Sequence, residues 1–163
     1  MPWYTVHTKI QHERAAEFNL QQLGVETFYP QLKQRKVVRR RAETRIGPLF
    51  PGYLFARFEL GTHYRTVAYA RGVRNIVTFG TLPATVEDEI IEGIRARLHD
   101  GFLAVPAPSL MPGEIIRIQT GPLQGLEAVF VREMSDHERV VLLLRTLTYQ
   151  ARVVLPVEQV VNT

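Results

Sequence analysis

The stretch Pro48-Leu49-Phe50-Pro51-Gly52-Tyr53-Leu54-Phe55 constrains the fold most, because it is apolar and aromatic yet is interrupted by two prolines and a glycine. Proline cannot donate a hydrogen bond to a sheet, and glycine often marks a break in a strand. Residues 48–52 are therefore predicted to form a turn that leads into a strand over residues 53–58. Side chains alternate along a strand. One face is expected to carry Tyr53, Phe55 and Arg57, and the other Leu54, Ala56 and Phe58.

The face with Tyr53, Phe55 and Arg57 has two interpretations. Aromatic side chains beside an arginine suit a surface that binds a partner. Large apolar side chains are also mostly buried in folded proteins, so the same aromatics are equally consistent with a core. The sequence alone leaves both interpretations open.

The composition bounds the class of protein. A chain of 163 residues forms one domain or two small ones. It has no cysteine, which excludes disulfides, thiolate metal sites and cysteine nucleophiles and fits a reducing compartment. No apolar run approaches the roughly 18 residues of a membrane span, and the N-terminus lacks the pattern of a signal peptide. We therefore expect a cytoplasmic protein with no membrane partner.

The charge is unevenly distributed. Residues 1–82 contain 13 Lys/Arg and 5 Asp/Glu, whereas residues 101–163 contain 5 Arg and 6 Asp/Glu. A basic half joined to a nearly neutral half indicates that the basic half meets an anion, and nucleic acid is the expected partner. Of the 20 basic residues 17 are arginine, whose planar guanidinium suits phosphates and base edges.

Residues 1–100 are predicted to form an α+β domain in which helices pack against an antiparallel sheet. The predicted strands are Trp3–Lys9, Val25–Tyr29, residues 53–58 and Val73–Phe79. The predicted helices are Gln11–Leu23, Thr62–Ala70 and a helix that begins after Thr85. In the last helix Val86, Ile90, Ile94 and Leu98 recur every four residues, and Thr85 with Asp88 resembles a capping box.

A basic run occupies residues 33–45. It contains Lys33, Arg35, Lys36, Arg39, Arg40, Arg41 and Arg45 against Glu43 alone. Such a run is most often a solvated loop or hairpin tip. Because no acidic run compensates it nearby, binding to a phosphate backbone is the second interpretation. Val37 and Val38 favour an extended arm over a helix.

The C-terminal part has a different pattern of apolar residues, prolines and glycines. Residues 101–111 lose periodicity and contain prolines, so they are predicted to be a linker. Residues 112–163 are predicted to form a small β-barrel with strands at Glu114–Thr120, Leu126–Arg132, Arg139–Arg145 and Tyr149–Leu155. Asp136-His137 is the predicted turn between the second and third of these strands.

Two groups of motifs resemble one family. Four segments resemble the N-terminal (NGN) domain of the NusG family of transcription elongation factors. They are Trp3-Tyr4, the block of residues 48–55, Arg71-Gly72-Val73 and Phe79-Gly80. Pro112-Gly113-Glu114 and the segment Gly121-Pro122-Leu123-Gln124-Gly125-Leu126-Glu127-Ala128 resemble a KOW motif in an SH3-like barrel. The resemblance implies an RNA polymerase- and DNA-binding domain over residues 1–100, a linker over 101–111 and a KOW domain over 112–163.

Within the family, three segments are similar to the specialised RfaH subgroup, which acts in antitermination. They are Pro48-Leu49-Phe50-Pro51, Ala70-Arg71-Gly72-Val73 and Arg139 with Leu142-Leu143-Leu144. This resemblance implies binding to the clamp helices of the largest polymerase subunit. The implied polymerase-binding residues are His7, Phe50, Tyr53, His63, Tyr64 and Arg65. His7 stands where the subgroup has a tyrosine, and of His63-Tyr64-Arg65 only the histidine matches.

RfaH-like proteins also contact the non-template DNA strand of a paused complex. Lys9, Arg14 and Arg71 match the basic positions used there, with His12 and Gln22 as helpers. Together with Arg39, Arg40 and Arg41 of the basic run, these residues form the predicted DNA-binding set. Arg14 and Arg71 are also explained by ordinary surface ion pairs.

The state of the C-terminal domain has two alternatives. In RfaH-like proteins it folds either as a barrel or as a helical hairpin docked on the N-terminal domain, held there by an arginine that pairs with an acidic residue. Here Gly47 replaces the acidic residue, so Arg139 needs another partner. Pro122 and the β-branched residues of 140–154 favour the barrel. The family implies recruitment of a small-subunit ribosomal protein and, less strongly, of the Rho terminator.

The sequence features also bear on two other function classes. A ribosome-associated, RNA-binding KOW protein is the alternative to a transcription factor, because ribosomal proteins also carry KOW motifs. An enzyme is disfavoured. The five histidines lack metal-ligand spacing, no glycine-rich phosphate loop is present, and Ser109 and Ser135 are the only serines. No catalytic residue, metal site or cofactor is therefore predicted.

Overall fold

The structure is a computed structural model that describes residues 1–104 and 135–154, apart from the side chains of residues 34–38, 104 and 148–154. The described residues divide into two compact units, one of residues 1–29, 52–88 and 144–154 and the other of residues 30–51, 89–104 and 135–143. The predicted boundaries of the C-terminal domain, the KOW motif and the predicted strands Glu114–Thr120 and Leu126–Arg132 lie outside the described residues, so they stay predictions.

The described elements confirm a mixed α+β structure. In chain order they are β1 (Trp3–Thr8), α1 (Glu13–Gln22), β2 (Glu26–Phe28), β3 (Gln31–Val38), β4 (Arg41–Pro48), β5 (Tyr53–Arg57), α2 (Leu60–Ala68), β6 (Val73–Ile76), β7 (Thr78–Phe79), β8 (Leu82–Pro83), β9 (Thr85–Val86), α3 (Asp88–Ala96), β10 (Leu98–His99), β11 (Phe102–Ala104) and α4 (Asp136–Val154). No helix among them is both long enough and apolar enough to cross a membrane.

The sheet of the first unit is arranged around β1. The strand order is β2-β5-β1-β6, and β9 also pairs with β1. All these pairings are antiparallel, and β1 meets β5 with Val6 opposite Leu54. The antiparallel sheet predicted for the N-terminal part is therefore confirmed.

The core of the first unit lies between this sheet and the first two helices. Ala16 and Leu20 are one helical turn apart on α1, and both are fully buried. From β1 and the end of β5, Tyr4 and Phe58 bring their ring centroids to 4.7 Å. Val67 of α2 belongs to the same cluster. The first helix therefore packs through Ala16 and Leu20, whereas Leu23, which continues the same spacing, follows the helix and is exposed.

The second face of β5 is also largely core. Phe55 is 0% exposed and stacks on Phe28, with ring centroids 6.2 Å apart. Phe28 in turn meets Trp3 edge-on at 6.5 Å. The core interpretation is therefore confirmed for Phe55. Tyr53 is only half-buried, and the half-buried Arg57 donates its Nε–H to the main-chain oxygen of Met1 at 3.0 Å.

The helix predicted after Thr85 is shorter than its spacing indicates. It begins at Asp88 and ends at Ala96, with Ile90, Ile91 and Ile94 buried as expected. Thr85 and Val86 instead pair with Tyr4 and Trp3, so the predicted capping box and the helical position of Val86 are wrong. Val86 is β-branched and gains burial in the sheet, which outweighs the four-residue spacing. Leu98 likewise pairs with Leu103 rather than extending the helix.

The second unit contains a hairpin of two eight-residue strands, β3 and β4, which confirms the extended arm predicted for the basic run. Strand β11 pairs with β3 in parallel, placing Leu103 opposite Leu32, and both of these side chains are buried. Residues 102–104 therefore form a strand although they lie in the predicted linker; the part after residue 104 is outside the described range.

The strands predicted over Arg139–Arg145 and from Tyr149 onward are wrong for this structure, because residues 136–154 form helix α4. The predicted turn at Asp136-His137 is the first turn of this helix. Ser135 begins it with a capping interaction in which its Oγ accepts the Glu138 N–H at 3.2 Å. Arg139, Leu143 and Leu147 recur every four residues and are all buried. This capping signal and the buried stripe outweigh the strand preference of the β-branched residues.

Candidate functional site

The first candidate surface is built on a pair of rings held by neighbouring strands. His7 of β1 lies opposite Tyr53 of β5, and the two rings stack with centroids 4.6 Å apart and planes 9° apart. Burial lowers the pKa of His7, and the positive charge of Arg74 lowers it further. Burial raises the pKa of Tyr53. Both rings therefore stay neutral around pH 7 and present a half-buried, largely apolar surface.

The turn beside this ring pair is fixed by its main chain. Gly52 has φ +85°, a conformation that residues with a side chain rarely adopt. Its N–H donates to Oε1 of Glu13 at 3.1 Å, and its carbonyl oxygen accepts the N–H of Thr8 at 2.8 Å. Glu13 thus joins the first turn of α1 to the residue that precedes Tyr53. This role for Glu13 was not predicted, because acidic residues are common in the first turn of any helix.

Phe50 belongs to the second unit and is 2% exposed, while the adjacent Leu49 is fully buried. The N–H of Leu49 donates to the Pro30 carbonyl at 3.0 Å. Its carbonyl oxygen accepts Nε–H of Arg139 at 2.7 Å, and Arg139 also pairs with Asp136 of its own helix. Gly47, at the position of the subgroup's acidic residue, has no carboxylate, and the buried Arg139 bonds to the main-chain oxygen of Leu49 instead. The start of α4 therefore lies against Leu49.

Helix α2 carries the three-residue segment predicted for polymerase binding. Tyr64 and Arg65 are exposed, whereas His63 is half-buried. The Nδ1 atom of His63 is buried and has no hydrogen-bond partner among the described residues. Within the same part of the chain, no three histidine or acidic side chains are grouped in a way that could hold a metal ion.

A second candidate surface forms where α1 meets two loops. The N–H of Lys9 donates to the Gly72 carbonyl at 2.9 Å, and Nδ2 of Asn19 donates to the Arg71 carbonyl at 2.9 Å. A Cβ atom added to Gly72 would lie 3.0 Å from the nitrogen of Ala16, so the loop touches the helix main chain. The predicted residues Lys9 and Arg71 are therefore held on neighbouring loops, and both are exposed.

The other predicted DNA-binding residues of this unit are exposed but differ in position. His12 immediately precedes α1, and its N–H donates to the Lys9 carbonyl at 3.0 Å. Arg14 lies 6.0 Å from the Tyr29 ring centroid, and its charge opposes the rise that burial causes in the pKa of Glu17. Gln22 is at the far end of α1, about 15 Å along the axis from His12. The structure therefore does not bring Gln22 to the Lys9–Arg71 surface.

The arginines of the basic run lie at the tip of the β3–β4 hairpin. Val38 pairs with Arg41, which leaves Arg39 and Arg40 as a two-residue turn with φ of +52° and +65°. Positive φ at both positions is the pattern of a type I′ turn, which favours Asn-Gly. Each such non-glycine residue costs about 1–3 kcal/mol. All eight residues from Arg39 to Ile46 are exposed.

Comparison with family models agrees with the motifs of the N-terminal part. Residues 1–95 match the family model described as NusG, transcription termination factor nusG. Among solved structures, the chain is similar to NusG of Thermotoga maritima, from a structure on domain interaction in that protein. The match has 23% sequence identity, covers 75% of this chain and 74% of that chain, and has a TM-score of 0.42.

Proposed function

Because this chain belongs to the NusG family, whose members are transcription factors that bind RNA polymerase and are not enzymes, we propose that it is an elongation and antitermination factor of the RfaH type. The observation that carries the proposal is the stacked pair of His7 and Tyr53 beside the fixed turn at Gly52. It acts in the cytoplasm on a transcribing polymerase.

The ring pair supplies the polymerase-binding surface. Two neutral, parallel-stacked rings offer apolar area at low cost in side-chain entropy, which suits the apolar face of a helix. The partner is the pair of clamp helices of the largest polymerase subunit. Phe50 contributes to the same function once it is uncovered, and the exposed Tyr64 and Arg65 next to His63 contact the other large subunit.

The exposed Lys9 and Arg71 bind the non-template DNA strand. Their loops are tied together through the Gly72 carbonyl, so two positive charges are displayed by a rigid main chain. A single strand offers phosphates and unstacked base edges to such a surface. His12 and Arg14 extend it along the start of α1, whereas Gln22 lies at the far end of this helix and is not part of the surface.

The C-terminal part regulates this activity. With residues 136–154 helical, Arg139 holds α4 against Leu49, next to the buried Phe50. Release of α4 uncovers Phe50 and frees residues 112–163 to form the KOW barrel, which recruits a small-subunit ribosomal protein or, less strongly, Rho. The linker over residues 101–111 tethers that barrel to the N-terminal domain.

Replacing Tyr53 with alanine tests the polymerase surface. We expect binding to RNA polymerase to weaken about tenfold, because the substitution removes a ring from the centre of the contact. The measurement is a binding titration with core polymerase, alongside thermal unfolding. Tyr69→Ala is the matched control, since Tyr69 is 85% exposed and belongs to no proposed site. Unchanged polymerase binding by a folded Tyr53→Ala protein would refute the surface, and unfolding would assign Tyr53 to the core.

Replacing Arg71 with alanine tests the DNA surface. A hydrogen bond to a charged group contributes about 1.5 kcal/mol, so we expect roughly tenfold weaker recruitment to paused complexes that contain a non-template strand. Recruitment to complexes without that strand should not change. Arg95→Ala, at an exposed position of α3, serves as the control. Equal losses with and without the non-template strand would contradict DNA contact by Arg71.

A further inference from the structure

Strand β4 (Arg41–Pro48) has one edge to which no other described strand is bonded. It is the last strand of the sheet ordered β10-β11-β3-β4, so it pairs with β3 on its inner edge alone. Every side chain from Arg41 to Ile46 is exposed. Proteins usually protect such an edge by keeping it short, or with a bulge or a proline. Strand β4 instead has eight residues in one continuous register with β3, and its proline, Pro48, stands at its end.

The outer edge of β4 is formed by the main-chain groups of Ala42, Thr44 and Ile46. Val38 and Arg41 flank a two-residue turn and are paired, so they exchange hydrogen bonds across the hairpin. Hydrogen-bonded and non-hydrogen-bonded pairs alternate along antiparallel strands. Every second residue of β4, beginning with Arg41, therefore bonds to β3, and the residues between them point their N–H and C=O groups outward. These outward groups can bond a further strand.

A second copy of β4 fits this edge in one register. With the two strands antiparallel and Thr44 opposite Thr44, each Glu43 faces Arg45 of the other copy. Each Ala42 then faces Ile46, which is 52% exposed in the single chain. Opposite charges and paired threonines stabilise neighbouring antiparallel strands. Glu43 and Arg45 also fall at non-hydrogen-bonded positions of this pairing, where facing side chains are closest.

The other registers of two β4 strands are disfavoured. A shift by one residue would place outward groups opposite groups that are already bonded to β3. Centring the pair on Glu43 sets this residue opposite itself and Arg41 opposite Arg45. Centring it on Arg45 sets that arginine opposite itself, and centring it on Ala42 sets Arg39 opposite Arg45. Like charges directly opposite each other destabilise a strand pair, and the register described above has none.

We propose that two copies of this chain associate through β4, with Thr44 on the two-fold axis, and so join two four-stranded sheets into one of eight strands. The interface is isologous, because the same edge serves both copies. It consists of a single strand pair, and interfaces this small are weak, so association is expected at high protein concentration. The dimer does not rest on the proposed function, because neither His7 nor Tyr53 lies on β4.

The first test is an exchange of charges in the full-length chain, with association followed by sedimentation velocity over a series of protein concentrations. Arg45→Glu sets like charges opposite each other at both Glu43 contacts, so we expect self-association to weaken by roughly tenfold or more. Glu43→Arg should have a similar effect. The double variant Glu43→Arg/Arg45→Glu restores opposite charges and should associate again. A mixture of the two single variants should associate as well, because each supplies the charge that the other lacks.

The second test addresses the main chain at the centre of the interface. Thr44→Pro removes an outward N–H but no hydrogen bond to β3, so the hairpin should stay folded while self-association is lost. Thr44→Val keeps this N–H and is the matched control, which should still associate. Thermal unfolding of each variant reports whether the fold is retained.

The proposal would be overturned by a chain that stays monomeric at every concentration. It would also be overturned by association that Arg45→Glu and Thr44→Pro leave unchanged, because the interface would then lie elsewhere. Association that disappears on nuclease treatment would show that nucleic acid bridges the copies and would equally overturn it. Tyr53→Ala should leave self-association unchanged, so failure of the dimer and failure of the polymerase surface are distinguishable.

Discussion

Replacing Gly72 with alanine will lower the free energy of unfolding by about 3 kcal/mol, and Gly24→Ala will lower it by only about 1 kcal/mol. Both glycines have positive φ, +92° at Gly72 and +81° at Gly24, so both substitutions force a side chain into the left-handed region. That strain costs about 1–2 kcal/mol at each position. The two positions differ in what surrounds the new methyl group.

At Gly72 the added Cβ would lie 3.0 Å from the nitrogen and 3.2 Å from the Cα of Ala16, which are main-chain atoms of a helix and cannot rotate away. At Gly24 no described atom lies within 4 Å of the added Cβ. Overpacking of this kind adds about 1–3 kcal/mol. The difference between the variants therefore measures the contact between the Gly72 loop and α1.

Urea unfolding of both variants, followed by circular dichroism, supplies the two values. Gly72→Ala should also weaken recruitment that depends on the non-template strand, because Lys9 is held by the Gly72 carbonyl. Equal destabilisation by the two substitutions would show that the loop and helix separate without cost. The rigid support proposed for Lys9 and Arg71 would then be wrong.

Replacing Arg139 with alanine will release α4 and strengthen polymerase binding. Arg139 is 2% exposed, and its guanidinium is hydrogen-bonded to the Leu49 carbonyl and to Asp136. Hydrogen bonds from a charged donor contribute about 1.5–3 kcal/mol, and their loss leaves the Leu49 carbonyl without this donor. The equilibrium between docked and released α4 should therefore shift by roughly 10- to 150-fold toward release.

The matched control is Arg145→Ala, which removes an exposed arginine from the same helix. Alanine favours helix at both positions, so helix propensity does not separate the two variants. NMR shifts of Leu143 and Leu147 in the full chain report whether α4 stays helical, and a polymerase titration reports whether Phe50 is uncovered. Arg139→Ala with unchanged shifts and unchanged polymerase affinity would remove Arg139 from any role in regulation.

The N-terminal elements could be predicted because their signals are local and agree with one another. Short sequence patterns are sufficient to predict three of the observed features. These are the turn at Gly52, the buried pair Ala16 and Leu20, and the extended basic run. Val86 shows the limit of such patterns. It continues a helical spacing, but its side chain gains more from the sheet beside Trp3.

The C-terminal helix could not be predicted from residue propensities. Residue propensities predict strands in this segment, because it contains β-branched residues such as Val140, Val141 and Thr146. The sequence does contain a local signal for a helix start, Ser135-Asp136-His137-Glu138, whose first and fourth residues form the capping interaction. The bond from Arg139 to Leu49 joins residues 90 positions apart and depends on tertiary packing. Nor did any pattern indicate that Asn19 would hold the Arg71 loop.

The central place of β1 in its sheet has a consequence during synthesis. This strand is made before all of its partners, which are residues 53–57, 73–76 and 85–86. At about 5–20 residues per second, roughly 4–16 s pass between the synthesis of β1 and that of its last partner. Throughout that interval the apolar segment Trp3-Tyr4-Thr5-Val6 has an unpaired edge, so the nascent chain is exposed to chaperones and to misassembly until residue 86 has left the ribosome.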